Sequence, residues 1–311
     1  MEYYHVVFTL PGRLGPLALK NKRVVYNILF HTAAQTLLTL AADPHHLGAH
    51  IGFTTILHTW GQNLMHHAHL HCVVPGGGLA PDGQRWVACR PGFFLPVRVL
   101  SRLYRRLFLD ALEQAFGQGR LQFHGSIAHL SRPEGFRQLL RDCQRTEWVV
   151  YAKPPFGGPD KVLDYLARYT HRIAISNHRL IRMEDGKITF TWRDYKQGGR
   201  RRTMTLEAHE FIRRFLLHVL PDGFMRIRYY GLFANRHRAE KLQRCHTLLG
   251  ATETSHEEPC EKQDWATFLQ TLIGRDPLVC PQCGRGRLIR LQTLSPSPPF
   301  HTRAPPGVAP S

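Results

Sequence analysis

The sequence lacks the features that mark secreted and membrane-embedded proteins. Its 311 residues contain seven cysteines, of which only Cys280 and Cys283 are closely spaced. This spacing excludes the disulfide framework of a small secreted domain. No apolar run approaches the roughly 18 to 20 residues that a membrane-spanning helix needs, and the chain does not open with a signal peptide. We therefore expect a reducing, cytoplasmic setting and no membrane partner.

Acidic residues are scarce relative to basic ones. The chain has 41 Lys and Arg against 23 Asp and Glu, which gives a formal net charge of +18. Half of this excess lies in residues 186–244. This excess of positive charge predicts a polyanionic partner. Nucleic acid is the favoured candidate, and an anionic membrane surface is the second. The hydrophobic content of 43% is typical of a globular protein.

The apolar pattern predicts an α+β fold in which helices flank an antiparallel sheet. The predicted strands, rich in β-branched and aromatic residues, span residues 4–10, 48–60, 66–74, 86–88 and 147–152. Apolar residues at helical spacing predict one or two helices over residues 16–42 and single helices over residues 96–116 and 207–220. Short strands with turns are expected over residues 171–205. Helices mixed with antiparallel hairpins favour α+β over a doubly wound parallel sheet.

The predicted strand over residues 66–74 is rich in histidine. A period of two puts His67, His69 and His71 on one face and the apolar residues on the other, which faces a core. Imidazoles two residues apart on one strand are close enough to share a divalent cation, and a pleated strand holds them rigidly. The pattern slightly favours a metal site over a strand of hydrogen-bonded histidines.

Two tyrosines follow on a predicted helix that begins at Pro159. Tyr165 and Tyr169 are four residues apart and therefore share one helix face. By themselves, aromatic residues at this spacing more often pack in a core. A tyrosine hydroxyl becomes a nucleophile when cations and a polarised phosphate meet it. With the histidines and the basic body, the tyrosines indicate transesterification on single-stranded DNA through a phosphotyrosine.

Several blocks of the sequence resemble a known family. His69-Leu70-His71 resembles the His-hydrophobic-His motif of the HUH endonuclease superfamily, and residues 6–11 resemble its first-strand motif. The longer blocks, which are more specific, cover residues 58–64, 67–71, 165–177 and 213–221. They are similar to two-tyrosine transposases of rolling-circle insertion sequences (the IS-ninety-one type). The resemblance implies an HUH-endonuclease-like sheet and a bacterial, nucleoid-associated transposase.

The resemblance also implies a metal centre. His69 and His71 would bind Mg²⁺ or Mn²⁺, with phosphate and water completing the coordination shell. The third ligand is expected to be His58, with Gln62 as the second choice and His67 as the third.

The resemblance further implies how the DNA is cut. One of Tyr165 and Tyr169 would attack a phosphate at an insertion-sequence end, leaving a 5′-phosphotyrosine and a free 3′-OH. The other tyrosine would perform the second strand transfer. The residues expected to hold the phosphodiester are Lys153, Arg168 and Arg172. Trp192 and Tyr195 could stack on bases, but ordinary packing within strands is the favoured interpretation of these two residues.

We expect three segments along the chain. These are an HUH-type nuclease and transposase core over residues 1–235, a helical region with a candidate zinc knuckle over 236–290, and a proline-rich disordered tail over 291–311. Cys280 and Cys283 would supply two of the four ligands of the zinc site. The remaining two are left open among Cys245, His246, His256 and Cys260.

The sequence departs from the resembled family in two respects. One is the incomplete knuckle at Cys280 and Cys283, and the other is at the start of the sequence. The family carries a cysteine-rich zinc-binding region ahead of the first strand, and this sequence begins at the first strand. Such a truncation would impair transposition. Two alternatives therefore stay open: a rolling-circle replication initiator or relaxase-like nickase, and an inactive DNA-binding remnant.

Overall fold

The computed structural model describes most of the chain. The described residues are 1–153, 174–194, 197–250, 270, 276, 278–280 and 282–288. The chain divides into two compact units, residues 1–252 and 253–311. The predicted segment boundaries at residues 235 and 290 stay predictions, and the predicted disordered tail lies outside the described residues.

A five-stranded antiparallel sheet forms the centre of the first unit. Its strands are β1 (Tyr3–Thr9), β2 (Gly52–Trp60), β3 (His66–Pro75), β6 (Val150–Lys153) and β10 (Ile227–Gly231). Their order is β10-β2-β3-β1-β6, so the histidine strand β3 is the middle one. A short turn over residues 61–65 joins β2 to β3, and the two strands are antiparallel neighbours, as predicted.

The apolar face of the sheet packs against helices. These are α1 (Gly15–Lys20), α2 (Lys22–Ala42), α3 (Val97–Gly117) and α4 (Pro133–Arg145). The four apolar residues of β3 that the two-residue period assigns to the core are Ala68, Leu70, Cys72 and Val74. All four are buried in one cluster with residues of the helices, such as Leu29 of α2. Removal of this apolar surface from water is the main favourable contribution to folding.

Helix α2 is an unusually apolar core helix. By length and composition alone it is the one described helix that could cross a membrane, contrary to the expectation that no segment qualifies. However, 67% of its most apolar window is buried inside the protein. A helix that is hydrophobic on every side can be the core helix of a large domain, and the burial of α2 fits that description.

A smaller sheet lies beside the β2–β3 turn. Its strands, in spatial order, are β7 (Leu180–Glu184), β8 (Lys187–Asp194) and β9 (Arg200–Glu207), and α5 (Ala208–Leu216) follows them. Phe190 of β8 and Ala174 are buried together with Leu64 of the turn, and Phe211 and Phe215 of α5 pack against them. This apolar cluster attaches the small sheet to the end of the central sheet.

The remaining elements are the two-stranded ribbon β4 (Gly77–Leu79) and β5 (Trp86–Ala88), and the helix α6 (Arg238–Leu248). The predicted α+β class, an antiparallel sheet flanked by helices, is confirmed.

The segment over residues 16–42, predicted as one or two helices, forms two. They meet at Asn21, whose buried amide binds the backbone of Leu17 and Gln122. Two details differ from the prediction. Helix α4 was not predicted, although Phe136 and Cys143 face the core at helical spacing. Strand β10 was also not predicted. It is a short edge strand, and it extends along β2 through backbone pairing that no local pattern encodes.

Replacing Leu29 with alanine tests whether α2 is a core helix. Its side chain is fully buried, whereas that of Leu216 at the end of α5 is 55% exposed. We expect Leu29→Ala to lower the free energy of unfolding by about 2–5 kcal/mol, since the cavity adds to the lost transfer energy. Leu216→Ala, the matched control, should cost less than about 0.5 kcal/mol. Urea unfolding followed by circular dichroism measures both, and equal losses would contradict the packing of α2.

Candidate metal centre and its surroundings

Three histidine rings converge on the polar face of the central sheet. His58 of β2 lies directly opposite His69 of β3, and His71 lies two residues further along β3 on the same face. Each ring offers one nitrogen, and these three nitrogens all lie within 4.8 Å of one another. The ring centroids of His58 and His71 are 4.4 Å apart, and those of His69 and His71 are 4.8 Å apart. A single cation placed among the rings would be within reach of all three.

Two of these rings are buried, and the third, His69, is kept neutral by its surroundings. His58 and His71 are 3% and 7% exposed, whereas His69 is half-buried and marks the open side of the cluster. Burial lowers the pKa of His69 to about 4, because a charged imidazolium would lose its hydration. An imidazole must be deprotonated to bind a metal ion. The environment therefore holds His69 in the form that a ligand needs.

Neighbouring groups orient two of the three rings. The Nδ1–H of His69 donates to the carbonyl oxygen of His67 at 2.7 Å. A carbonyl can only accept, so Nε2 of the neutral His69 ring keeps its lone pair. Nδ1 of His71 lies 2.8 Å from Nε2 of His5 on β1, and the two rings are stacked. Metal-binding histidines are commonly held by such a bond from the second ring nitrogen.

The donor set therefore fits a divalent cation. Three imidazoles converge, the tautomer of His69 is fixed by a backbone carbonyl, and the half-buried side leaves room for further ligands. Among the described residues, this triad is the only group of three or more His, Cys, Asp or Glu side chains with metal-binding geometry. His5, which holds His71, was not identified from the sequence, because the contact depends on the pairing of β1 with β3.

The turn between β2 and β3 is fastened from the small sheet and α5. The guanidinium of Arg179 donates to the carbonyl of Gln62 and, at 2.8 Å, to that of Thr191 on β8. Arg214 of α5 donates to the carbonyl of Asn63 at 3.3 Å. These bonds hold a turn that directly follows His58 along the chain and leads into β3.

The buried side chain of His218 also binds this turn. Its Nε2–H donates to the carbonyl of Leu64 at 3.0 Å, and its Nδ1 accepts from the hydroxyl of Thr59 at 3.2 Å. Burial lowers the pKa of His218, so the ring keeps the neutral form that this pair of bonds requires. Leu64 has a left-handed backbone (φ 62°), and its buried side chain compensates for that strain. The family block over residues 213–221 contains Arg214 and His218, but the sequence did not reveal what they contact.

Most of the predicted DNA-cleaving residues cannot be located. Tyr165, Tyr169, Arg168 and Arg172 lie outside the described residues. Lys153 is described only through its backbone, which pairs with that of His5 at the end of β6. Strand β6 therefore carries the chain past the His5–His71 pair as it enters residues 154–173.

The two alternative metal ligands have other roles in the structure. Gln62 lies in the turn and accepts a hydrogen bond from Arg179 through its carbonyl. His67 is exposed, and its carbonyl orients His69. Of the three residues considered as the third ligand, His58 belongs to the converging group and His67 does not, and Gln62 stays an untested alternative.

Cys280 and Cys283 lie in a tight turn of the second unit. Gly286 N–H donates to Cys283 Sγ at 3.3 Å, and Cys280 N–H donates to the Gly286 carbonyl at 2.7 Å. Backbone N–H groups directed at the sulfur lower the pKa of Cys283, which favours the thiolate. Of the four other proposed ligands, Cys245 is buried among apolar side chains in the first unit, His246 is exposed on α6, and His256 and Cys260 lie outside the described residues.

Removal of one ring tests the metal centre. We expect His58→Ala to weaken Mn²⁺ binding at least tenfold, because the cation loses one of three protein ligands. His46→Ala is the matched control, since His46 is exposed and lies outside the triad. Isothermal titration calorimetry with MnCl₂ measures both affinities. Equal affinities for wild type and His58→Ala would remove His58 from the site.

Comparison with known proteins gives the family. The family model Y2_Tnp, described as "Putative transposase", matches residues 52–241. A protein of Sinorhizobium fredii described as "Putative transposase y4qJ" is 55% identical over 291 residues, which cover 94% of this chain and 73% of that protein. The "Transposase for insertion sequence element IS801" of Pseudomonas savastanoi pv. phaseolicola is 28% identical over 296 residues, which cover 94% of this chain and 68% of that protein.

Solved structures give a much weaker match. A structure described as "Conjugative Relaxase TrwC in complex with OriT Dna. Metal-free structure." is 14% identical and has a TM-score of 0.30. The match covers 79% of this chain and 71% of that one. A TM-score this low carries no conclusion about function. The family model and the sequence relatives suffice: the chain belongs to the Y2_Tnp transposase family of rolling-circle insertion sequences and is an enzyme that cleaves and transfers DNA strands.

Proposed function

We propose that this transposase cuts single-stranded DNA at insertion-sequence ends and transfers the strand through a 5′-phosphotyrosine, in a reaction that depends on Mg²⁺ or Mn²⁺. The observation that carries the proposal is the triad of His58, His69 and His71 on the central strands of a transposase. Three imidazoles whose nitrogens lie within 4.8 Å of one another offer a divalent cation three ligands at once.

The metal ion would be held by His58, His69 and His71. When bound, it supplies Lewis-acid polarisation of a non-bridging phosphate oxygen. Imidazole ligands alone would suit zinc, but phosphate and water oxygens in the remaining positions suit Mg²⁺ or Mn²⁺. His5 and the carbonyl of His67 keep two of the rings oriented for this purpose.

The nucleophile is one of Tyr165 and Tyr169. Its phenolic oxygen forms a bond to the scissile phosphorus while the bond from phosphorus to the 3′ oxygen breaks. The phenolic proton is released, and the departing 3′ oxygen takes up a proton to become a free 3′-OH. The 5′ phosphate stays covalently attached to tyrosine. The other tyrosine repeats this exchange on the second strand, and the attack of a 3′-OH on the phosphotyrosine restores the phosphodiester.

Cations near the tyrosines would hold the strand. Lys153, Arg168 and Arg172 surround the proposed nucleophiles in sequence. The backbone of Lys153 opposes His5, which contacts His71, so β6 leads the chain into residues 154–173 from beside the metal centre. Charge-assisted contacts to phosphate oxygens are among the strong hydrogen bonds of proteins, and they position the backbone without reading its sequence.

We also propose that Cys280 and Cys283 bind Zn²⁺ with two ligands from outside the described residues. The support is the turn that directs backbone N–H groups at the Cys283 sulfur. Elemental analysis of the purified chain should find zinc in wild type and its loss in Cys280→Ser. Equal zinc contents in the two proteins would exclude these ligands.

A covalent protein–DNA adduct is the direct test of the tyrosine chemistry. The purified chain is incubated with a single-stranded oligonucleotide that carries the element's terminus and a label on its 3′ portion, with Mn²⁺ or with EDTA. Because tyrosine keeps the 5′ phosphate, the label should move with the protein on a denaturing gel. We expect the adduct in Tyr165→Phe and in Tyr169→Phe, and at least a hundredfold loss in the double variant, in His69→Ala and in EDTA.

Tyr229→Phe serves as the matched control, because Tyr229 is an exposed tyrosine on β10. Its adduct yield should equal that of wild type. An adduct that survives in the double variant would contradict the tyrosine nucleophiles, and an adduct that survives EDTA would contradict the metal requirement. Absence of any adduct would favour an inactive DNA-binding remnant.

A further inference from the structure

A basic cleft lies between the central sheet and the small sheet. Its volume is about 560 Å³, which is within the usual range of ligand pockets, roughly 300–1,000 Å³. The end of β2, the β2–β3 turn, residues 174–179 and strands β8 and β9 supply its lining. We call it the Trp60–Trp192 cleft, after the two aromatic residues that line it.

One wall of the cleft is continuous with the metal centre. Trp60 follows His58 by two residues on β2, and its indole stacks on the His58 imidazole with ring centroids 4.5 Å apart and planes within 20°. The indole is half-buried. A group bound in the cleft would therefore lie next to the side chain of a proposed metal ligand, separated from it by one aromatic ring.

The second tryptophan comes from the small sheet. Trp192 of β8 packs partly against the cluster of Leu64, Ala174 and Phe190, and it remains half-exposed where it lines the cleft. The sequence alone favoured simple strand packing for this residue. In the structure the ring also contributes an aromatic surface to a solvent-accessible cavity. Aromatic faces of this kind are the surfaces on which the bases of single strands stack.

The charge around the cleft is positive. Arg193 and Arg201 are cross-strand neighbours on β8 and β9, both are exposed, and both line the cleft. Among the described lining residues none is acidic, and within the described chain neither guanidinium forms a salt bridge. The nearest acidic neighbour in the strands, Asp194, is buried and paired with Arg202 at 3.6 Å. The two arginines are therefore available to a phosphate.

Arg179 also lines the cleft, but its guanidinium binds backbone carbonyls. Its bonds to the Gln62 and Thr191 carbonyls join the β2–β3 turn to β8 across the cleft floor. The aromatic wall on β2 and the basic wall on β8 and β9 are thus held at a fixed separation. A preorganised site of this kind loses less entropy on binding than one that must first be assembled.

We infer that the Trp60–Trp192 cleft binds one unpaired base of the DNA strand and its adjoining phosphate, next to the phosphate to be cut. The base would stack on Trp192, and Arg193 and Arg201 would hold the phosphate. The inference rests on the proposed function, since it assigns the neighbouring nucleotide of the same substrate. A stacked base must be free of its complement, so the cleft would select single-stranded over duplex DNA.

An abasic scan tests the inference without catalysis. Fluorescence anisotropy in EDTA measures binding of the full chain to labelled oligonucleotides of the element's terminus, each with one abasic site at a different position. We expect one position to weaken wild-type binding about tenfold, which is the size of one stacking interaction. In Trp192→Leu the intact strand should bind about tenfold more weakly, and the abasic site should add no further loss. Trp192→Phe, which keeps an aromatic face, should retain the sensitivity.

Two double arginine variants distinguish specific binding in the cleft from the general attraction between a basic protein and DNA. Arg193→Ala/Arg201→Ala should weaken binding at least tenfold, whereas Arg102→Ala/Arg106→Ala on α3 removes the same charge from exposed positions and should cost clearly less. Equal losses in the two double variants, or a flat abasic scan in wild type, would overturn the inference. A thermal melt of Trp192→Leu would show whether this variant folds. If it does not fold, the two double arginine variants still test the inference.

The cleft and the cleavage chemistry can fail separately. A position-specific abasic effect without any covalent adduct would support the cleft and contradict the phosphotyrosine proposal. A metal-dependent adduct with a flat abasic scan would support the phosphotyrosine and contradict the cleft.

Discussion

The antiparallel register between β2 and β3 is the constraint on which the candidate site depends. It sets His58 opposite His69, and the pleat then brings His71 to the same face. The residues that alternate with His69 and His71 along β3 face the core, where Ala68, Leu70 and Cys72 are buried. A slip by one residue would turn the histidines inward and these apolar side chains outward. Core packing, which stabilises the fold, thus also selects the one register that brings the three histidines together.

The β2–β3 turn connects the histidine strands to the small sheet and to α5. Arg179 and Arg214 bind its carbonyls from the small sheet and α5, and His218 binds both the turn and the strand before it. The same attachment positions the small sheet, so that Trp192 and Trp60 line one cleft. The proposed metal centre and the proposed nucleotide site are therefore joined by hydrogen bonds to the same turn. The two His218 bonds are buried and therefore costly to break, since each partner would be left unsatisfied.

The features that follow from local pattern were predictable, and those that follow from distant pairing were not. The period of two in residues 66–74 correctly predicted the core face of β3, and the charge excess indicated a polyanionic partner. Nothing local indicated that His5 would meet His71, because that contact requires β1 to lie beside β3 at one register. No sequence pattern singled out Arg179, which joins the β2–β3 turn to β8 through two backbone carbonyls. Strand β10 depends on pairing with β2 in the same way. The family blocks located important segments without stating their contacts.

Pulsed electron paramagnetic resonance of the Mn²⁺-loaded protein reports the atoms bound to the ion. It therefore tests whether His58, His69 and His71 hold a cation that contacts the DNA phosphate. We predict nitrogen couplings from imidazole ligands, fewer of them in His58→Ala, and a phosphorus coupling that appears when a single-stranded terminus of the element is added. A spectrum of fully hydrated Mn²⁺, or nitrogen couplings unchanged in His69→Ala, would contradict this binding mode.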